Sequence, residues 1–401
     1  MKRVRSVDVL RGFALMAMVL IHFVIYFGDA GAMNTWPYFI LNDLLADFGA
    51  AGFLTMVGIS QVLSAASTPD ADALFLFKKA ALRGAYIFVV GLLMLALTWG
   101  PHHIWQWDIL TLIGFATLVL YFCRFLPSWL ILLLVAGAAL ITPWLRSLID
   151  PVAVWGAGFM PTPVISDYAP GLFVMLQGEI PIVWQWDAVL RGFLLAGEFP
   201  VFPWIAFPLL GFVLGRRIVA GRFQRDLPIL LLLGLLFTAL GVGGAWFSRG
   251  WVNASVVTDY LAPLSFYPDS FTLWVCQVGV TLVVFSGLYY WYDVRPHAEA
   301  PSGLMTTLYN RTSRFSLTFY FLHYLLIGWT LALVFVVTGE YRVFDLMGIW
   351  GSILAGLAAV IALELLLKVW EARGGRYSLE WILAALTARL TRALPEPRKT
   401  V

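Results

Sequence analysis

Long apolar runs, each about as long as a helix that crosses a bilayer, follow one another along most of the chain. About twenty apolar residues make one crossing. By this measure, spans are predicted near residues 8–28, 46–66, 83–99, 108–125, 127–145, 200–220, 227–247, 270–291, 315–338 and 346–370. The pattern predicts an all-α polytopic integral membrane protein, a bundle of about ten transmembrane helices. Residues 188–196, in the proline-rich outer segment, could form a half-inserted helix, and this leaves an eleventh crossing open.

The first run could be mistaken for a secretory signal, because it follows a basic N-terminus. A signal peptide has a short apolar core and then a small-residue cleavage site. This run instead continues past twenty residues and carries Asp8, Arg11 and His22. We interpret it as a retained first span.

Two segments are predicted to lie outside the membrane. Within the bundle domain, residues 1–374, the proline-rich segment 146–199 is suited to be an extracytoplasmic cap over an outward-facing cavity. After Gly374 and Gly375, the tail 375–401 alternates leucines with arginines. This alternation is typical of an amphipathic helix that lies on the anionic cytoplasmic leaflet.

Lysine and arginine placement predicts the orientation of the bundle. With the N-terminus in the cytoplasm, only four of the 26 Lys and Arg residues fall on the outer side: Arg146, Arg191, Arg249 and Arg342. Such a bias is the usual mark of cytoplasmic loops. Ten crossings then put both termini in the cytoplasm, and we expect a multi-pass protein of a bacterial cytoplasmic (inner) membrane.

The composition excludes a water-soluble protein and several kinds of site. The chain is 61% hydrophobic and only 12% charged, whereas a soluble domain is about 25% charged. A net charge of +3 without a basic stripe gives no reason to expect nucleic acid as a partner. The two cysteines lie in apolar runs, and His102 and His103 have only Asp108 near them, so we predict no disulfide framework and no metal site.

Ionisable residues inside predicted spans are the first candidates for function. Each costs about 2.5 to 3.5 kcal/mol at mid-helix on insertion scales, so they are seldom kept without a role. Asp8, Arg11 and His22 fall within about 60° of one face of the first span, and Arg11 and His22 are separated by about 16 Å along it. The spacing also allows Asp8 to pair with Arg11.

The His22 imidazole is suited to general-base chemistry, because its ordinary pKa lies near neutrality. Such a base needs an orienting group. Asp47, at the outer start of the second span, is the predicted partner, and Asp43 is a substitute. The structural alternatives are a histidine bonded to a backbone carbonyl and, for Asp47, a helix N-cap.

The ninth span carries a second intramembrane histidine. His323 follows Ser316 and Tyr320 on a segment that presents hydroxyls and an imidazole to the bundle. Its two interpretations are a catalytic residue and a structural hydrogen bond between helices. Glu364 is a further buried candidate whose role the sequence leaves open.

The tetrapeptide Trp-Gln-Trp-Asp occurs twice on the predicted outer side, at residues 105–108 and 184–187. Indole faces beside a carboxylate can bind sugars, so Trp105, Trp107 and Asp108 are candidates for substrate binding. The alternative is an aromatic belt at the membrane interface.

Arginines cluster at the inner ends of the predicted spans. Most of them reflect topology, but a subset could bind an anionic cofactor that carries phosphates. The cluster contains Arg11, Arg83, Arg216, Arg217, Arg222, Arg225, Arg311 and Arg314.

The segment Ser6-Val7-Asp8-Val9-Leu10-Arg11-Gly12, continued to His22, resembles the opening of the transmembrane acyltransferase superfamily. This superfamily includes the acyltransferase-3 family and the heparan-alpha-glucosaminide N-acetyltransferase family with its bacterial relatives. The acyltransferase-3 pattern of arginine, ten residues and histidine is met by Arg11 and His22.

Further segments resemble the N-acetyltransferase branch of that superfamily. These are Asp47 with Gly58 and Ser60, Pro203-Trp204 to Gly211 with Gly215-Arg216, and Ser316, Tyr320 and His323 in a Ser-x-x-x-Tyr-x-x-His pattern. The heparan branch, however, has asparagine at the position of His22 and a histidine in the following loop. Residues 23–46 contain no histidine, so the acyltransferase-3 role is the one carried over to His22.

The resemblance implies a membrane-bound acyltransferase. It would move an acyl group, in the first instance acetyl, from cytoplasmic acyl-CoA to a carbohydrate or glycolipid acceptor on the extracytoplasmic side. Its implied catalytic residues are His22 as base, Asp47 as partner and His323. The donor side would include Asp8, Arg11, Arg216 and Ser316.

The expected partners are acyl-CoA, the acceptor, the lipid bilayer and, as an option, a second copy of the chain in a homodimer. The rival hypothesis is a proton-coupled transporter or flippase of a glycan or lipid. In that case the proton carriers would be Asp8, His22, Asp47, His323 and Glu364.

Overall fold

The computed structural model describes residues 3–68, 71–149, 185–248, 260–266, 269–295, 303–340 and 342–392. Within these ranges the regular structure is helical, with two isolated β-bridges as the only extended pairings. Nine of the described helices are long and apolar enough to cross a membrane, and Ile109–Cys123 is a shorter apolar helix. The predicted all-α polytopic class is confirmed.

The α-helices are numbered here in chain order. Their bounds are α1 Arg5–Phe27, α2 Ala30–Met33, α3 Trp36–Tyr38, α4 Asp47–Ala66, α5 Ala73–Thr98, α6 Ile109–Cys123, α7 Ser128–Ser147, α8 Trp186–Arg191, α9 Val201–Trp204, α10 Ala206–Val219, α11 Phe223–Ser248, α12 Phe271–Tyr289, α13 Leu304–Arg314, α14 Ser316–Thr338, α15 Ile349–Ala372 and α16 Leu379–Arg392. Three π-helical segments, Phe39–Ala46, Gly192–Ala196 and Tyr290–Val294, and the 3-10 helix Pro101–Gln106 join them.

Each predicted span coincides with one of these helical segments, and the structure differs mainly at their ends. The second begins ten residues early, because α3 and a π-helical segment run into α4 as one span, Trp36–Ala66. Residues 188–196 belong to the broken span Trp186–Val219, so within the described residues they form no separate eleventh crossing.

The described parts of the cap segment are residues 146–149 and 185–199. Its remaining residues, including Trp184, the first residue of the second tetrapeptide, lie outside the described ranges. The orientation in the membrane stays a prediction. We use "inner end" for the end of the bundle at which α1 begins.

The first helix lies at the centre of the bundle. It packs against α4, α12, α13, α14 and α15, and half of its most apolar window is buried in the protein, against 17% for α11. The ionisable side chains of α1 therefore face protein, which is where intramembrane charges are tolerated.

A close crossing of α4 and α10 depends on two glycines. A Cβ added to Gly58 would lie 2.0 Å from the backbone oxygen of Pro208, and one added to Gly211 would lie 2.0 Å from that of Thr55. Only glycine allows the backbones to approach this closely, as is common where membrane helices pack. The crossing fixes the inner ends of both helices, where Ser60 and Arg216 lie.

The predicted amphipathic tail contains a helix, α16. Its first turn contacts α5 and α14, and the Tyr86 hydroxyl donates a hydrogen bond to the backbone oxygen of Leu379 at 3.1 Å. The start of the tail is therefore attached to the bundle.

Candidate active site

Two imidazoles from distant parts of the chain meet inside the bundle. Nδ1 of His22 on α1 lies 2.9 Å from Nε2 of His323 on α14. The two rings are stacked, with centroids 5.1 Å apart and planes inclined by 17°. His323 is fully buried, whereas His22 is only partly buried and lines a cavity. The sequence singled out both histidines but predicted no contact between them.

The backbone determines which imidazole nitrogens carry hydrogen when both rings are neutral. Nδ1 of His323 contacts the backbone oxygen of Tyr320, which can only accept a hydrogen bond, so Nδ1 must be the protonated nitrogen. Nε2 of neutral His323 is then an acceptor, and it takes a hydrogen bond from Nδ1 of His22. This leaves Nε2 of His22 with a lone pair, and no described group hydrogen-bonds to it.

A tyrosine and a carboxylate hold the turn of α14 that carries His323. The Tyr320 hydroxyl donates to Oδ2 of Asp108 at 2.5 Å. The other oxygen of Asp108 accepts from the backbone N–H of Leu110 at 2.9 Å and caps α6. Tyr320 and Asp108 are both buried. Because the Tyr320 carbonyl orients His323, Asp108 stabilises the histidine pair through Tyr320.

The tryptophans predicted to bind substrate lie beside this arrangement. Trp107 is 4% exposed, and its ring lies 4.7 Å from that of Phe193 and 6.2 Å from that of Phe88, so it presents no open face. Trp105 is partly buried and its ring packs 5.3 Å from that of Trp107. Of the three predicted residues, Trp105 has the most open side chain.

A cavity of about 140 Å³ runs along α1 and has His22 in its wall. We call it the histidine cavity. Its wall on α1 extends from Ala14 to Ile25, about 16 Å of helix. The lining is mainly apolar, and its polar side chains are His22, Asn42, Asp47 and Tyr320. A small apolar cavity with a few converging polar groups is typical of a ligand site.

Asp47 shares the histidine cavity but does not hold His22. Among the described contacts the orienting group of His22 is His323, and the expected hydrogen bond from the His22 ring to the Asp47 carboxylate is not formed. The backbone oxygen of Asp47 accepts from the Gln277 side chain at 2.7 Å. Asp47 lies in the first turn of α4, whose N-cap is Ala46 without a side-chain cap. The substitute, Asp43, is bonded by Asn42 at 2.9 Å.

The inner part of the same face of α1 carries the charged pair predicted from its spacing. The two residues do not pair with each other in the described structure. Arg11 donates instead to the Ser60 hydroxyl on α4. Asp8 accepts from Arg3 at 2.6 Å and from Ser313 at 2.8 Å. Arg11 lies one turn before Ala14, so the contact with Ser60 adjoins the inner end of the histidine cavity.

A second, larger cavity of about 310 Å³ opens at the inner end of the bundle. We call it the inner pocket. Four basic side chains line it, Lys79, Arg83, Arg124 and Arg216. The Arg216 guanidinium also donates to the backbone oxygens of Cys123 at 3.1 Å and Leu126 at 2.7 Å, so it holds the end of α6 as well. Gln61, next to Ser60, is in the wall of this pocket. The Arg11–Ser60 contact therefore lies between the two cavities.

The two remaining candidates lie at other places. Ser316 is the first residue of α14. Glu364 forms an ion pair with Arg311 at 3.1 Å and accepts from Thr312. Arg311 also binds Glu371 at 2.9 Å. Glu364 therefore joins α15 to α13 in a structural ion network.

Within the described ranges, no three His, Cys, Asp or Glu side chains converge as a metal site would require.

Residues 3–180 match the family model described as "Heparan-alpha-glucosaminide N-acetyltransferase, catalytic". The matched range contains α1, α4 and α6, and with them Arg11, His22, Asp47 and Asp108. No curated protein matches the chain.

Proposed function

We propose that the chain is a transmembrane acyltransferase similar to the heparan-alpha-glucosaminide N-acetyltransferases, whose catalytic family model its residues 3–180 match, and that it carries an acyl group across the membrane. The donor would be cytoplasmic acyl-CoA, in the first instance acetyl-CoA. The acceptor would be a carbohydrate or glycolipid on the extracytoplasmic side. The observation that carries this proposal is the bare Nε2 of His22 in the wall of the histidine cavity.

The inner pocket is the best candidate for the CoA nucleotide. CoA carries several phosphate charges, and the pocket offers Lys79 and Arg83 with room of about 310 Å³. Ammonium and guanidinium groups are the side chains that bind phosphate. Arg124 and Arg216 add positive charge at the far wall.

The thioester would reach His22 through the histidine cavity. The cavity wall on α1 starts at Ala14, one turn after Arg11, and continues past His22 to Ile25, so a thin chain entering beside Arg11 would extend along α1 for about 16 Å to reach His22. Its mainly apolar wall suits an uncharged thioester, while a charged nucleotide would stay at the inner end.

The proposed chemistry is one transfer with one base. Nε2 of His22 takes the proton from an acceptor hydroxyl or amine as its oxygen or nitrogen attacks the thioester carbonyl. The bond from carbonyl carbon to sulfur breaks, and the CoA thiolate leaves with the proton that His22 returns. The products are the acylated acceptor and free CoA thiol.

His323 would act as the orienting partner in this step. When His22 gains a proton it becomes a cation, and Nε2 of His323 accepts a stronger hydrogen bond from its Nδ1–H. His323 thus takes the role that the sequence led us to expect for Asp47. Asp47 lines the same cavity and would contact the acceptor there.

The test is acyl transfer by purified protein in vesicles, given radiolabelled acetyl-CoA and a glycan and glycolipid extract of the source membrane. Wild-type protein should label a component of the extract. His22→Ala should lower the rate by about 10² to 10⁴, the usual contribution of a general base. The matched control is His103→Ala, since His103 is buried and bonded to Gln106 at 2.7 Å, outside the histidine cavity.

Two results would decide against the proposal. Equal rates for His22→Ala and wild type would remove His22 as the base. Absence of transfer, together with glycan or lipid movement across the vesicle membrane without CoA, would favour the transporter hypothesis.

A further inference from the structure

The helix that carries His323 begins without a cap of its own. The first turn of any helix leaves backbone N–H groups without partners. At the start of α14 the N-cap position is Phe315, which has no side-chain acceptor to offer. These N–H groups lie within the protein, where an unpaired donor is costly.

Glu380, from the C-terminal helix α16, supplies the missing acceptors. One of its carboxylate oxygens accepts from the backbone N–H of Leu317 at 2.7 Å and from that of Thr318 at 3.0 Å. The other accepts from the Thr318 hydroxyl at 2.5 Å. A carboxylate here also meets the positive end of the α14 dipole. The cap therefore comes from a residue 62 positions further along the chain.

The two helices cap each other. The Thr318 hydroxyl oxygen accepts from the backbone N–H of Leu379 at 2.9 Å, so α14 also binds the start of α16. Thr318 is only 3% exposed, so water has little access to these hydrogen bonds. With Tyr86 holding the backbone oxygen of Leu379, the junction joins α5, α14 and α16.

The turn between α15 and α16 positions Glu380 at the start of α14. Gly374 and Gly375 have φ angles of 70° and 68°, which turn the chain sharply after α15. The Trp370 indole N–H donates to the backbone oxygen of Arg376 at 2.6 Å across the turn. The Ser378 hydroxyl then caps α16 by accepting from the N–H of Trp381 at 3.1 Å.

The cap is close to the histidine pair along α14. Tyr320 follows Thr318 by two residues and His323 follows it by five, about 3 and 7.5 Å along the helix axis. Fixing the first turn of α14 therefore fixes both the Tyr320 carbonyl and the imidazole that it orients. We propose that Glu380 is a positioning residue for the His22–His323 pair, and that α16 belongs to the machinery of the site. The inference rests on the proposed function only in taking this pair as the reacting centre.

The first test observes the histidines directly and needs no acceptor. The chain has five histidines, so protein labelled with ¹³C and ¹⁵N at histidine gives few ring signals. His22→Gln and His323→Gln assign the two signals of the pair. Glu380→Ala should move or broaden both of these signals and leave those of the other histidines in place.

The matched control is Asp72→Ala. Asp72 also caps a helix with a carboxylate, since it accepts from the N–H of Phe75 at 2.5 Å at the start of α5. That helix does not carry the pair, so Asp72→Ala should leave the His22 and His323 signals at their wild-type positions. Folded Glu380→Ala protein with wild-type signals for both histidines would overturn the inference.

The second test separates positioning from general stability. In the transfer assay Glu380→Ala should lower kcat by about tenfold, as expected for the loss of a charged helix cap, with the KM for acetyl-CoA within about twofold. Glu380→Gln keeps one acceptor oxygen and should restore part of kcat. It also provides folded protein for both tests if the alanine variant does not fold. Equal kcat for Glu380→Gln, Glu380→Ala and wild type would contradict the proposal.

The two tests keep the hypotheses apart. Shifted histidine signals without any transfer by wild type would uphold the positioning role and reject the acyltransferase. Transfer that depends on His22 but not on Glu380 would support the acyltransferase and reject the positioning role of Glu380.

Discussion

The histidine cavity, which runs along α1, and the inner pocket, which lies between α4, α5, α6 and α10, differ in size and charge. The inner pocket is about twice as large, at about 310 against 140 Å³, and four basic side chains line it. The histidine cavity is mainly apolar. His22 in its wall is bonded to the buried His323, and the buried Tyr320 and Asp108 support His323 in turn.

In the proposed function, this difference would separate recognition of the donor from the transfer chemistry. The four basic side chains of the inner pocket can attract an anion from a distance. The wall of the histidine cavity is mainly apolar, so an imidazole with a fixed tautomer would act on a proton in a low-dielectric setting. A donor with a charged nucleotide and an uncharged thioester fits this polarity.

The largest expected effect beyond loss of the base itself is at His323. His323→Gln removes the ring acceptor that orients His22 but leaves His22 in place. Transfer should fall by about 10- to 100-fold, as is usual when the group behind a functional histidine is lost, with little change in the KM for acetyl-CoA. Rates from purified protein would measure this. A rate equal to that of wild type would mean that the histidine contact is only structural.

An intermediate effect is expected at the inner pocket. The double variant Lys79→Gln, Arg83→Gln removes two charges from its wall. The KM for acetyl-CoA should rise by about tenfold while kcat changes little, because these groups bind the donor and do not take part in the transfer. The wild-type KM should also rise with salt.

The control for the inner pocket is Arg217→Gln. Arg217 lies beside Arg216 but is bonded to Asp226 at 2.5 and 2.8 Å and is not in the pocket wall. It should leave KM unchanged. An equal rise in KM for the control would point to inner-face charge in general and not to this pocket.

The smallest expected effect concerns stability at a buried carboxyl near the outer end of the bundle. Asp269 is 3% exposed and its side-chain oxygens have no hydrogen-bond partner in the described structure. Burial raises the pKa of Asp269 well above its usual value, Arg146 opposes this only in part, and Asp47 adds to it. The folded protein thus holds this proton more tightly than the unfolded chain. Its contribution to stability is present at low pH and is lost as pH rises through the raised pKa.

Asp269→Asn should remove this pH dependence. Thermal unfolding in detergent, followed from about pH 5 to pH 9, should show Tm falling more steeply with pH in wild type than in the variant. Parallel curves would mean that Asp269 does not titrate in this range.

Local patterns were enough to predict much of the bundle. Hydropathy alone located ten helical segments, since a span must be apolar wherever it packs. It also marked His22 and His323, because an ionisable group stands out in an apolar run. The pattern could not predict the broken span Trp186–Val219, in which proline, glycine and π-helical geometry interrupt a run that hydropathy averages over.

Partner choices were harder to predict from the sequence. The spacing of Asp8 and Arg11 allowed an ion pair within α1. In the structure, Arg11 donates instead to the Ser60 hydroxyl on α4. Asp8 accepts from the Ser313 hydroxyl at the end of α13. A spacing within one helix states only which contacts are within reach. It does not state which neighbouring helix supplies a better one.

The sequence by itself determined that this chain is a polytopic helical membrane protein. It also determined which ionisable residues would be too costly in lipid unless they have a structural or functional role. Both are properties of single segments in a known solvent. Only the tertiary structure decided that His22 meets His323 across 301 positions, that Tyr320 meets Asp108 across 212, and that a carboxylate from the tail caps the histidine helix. Such pairings depend on the angles at which helices cross and on the depth in the membrane at which each helix begins. No single segment encodes that geometry.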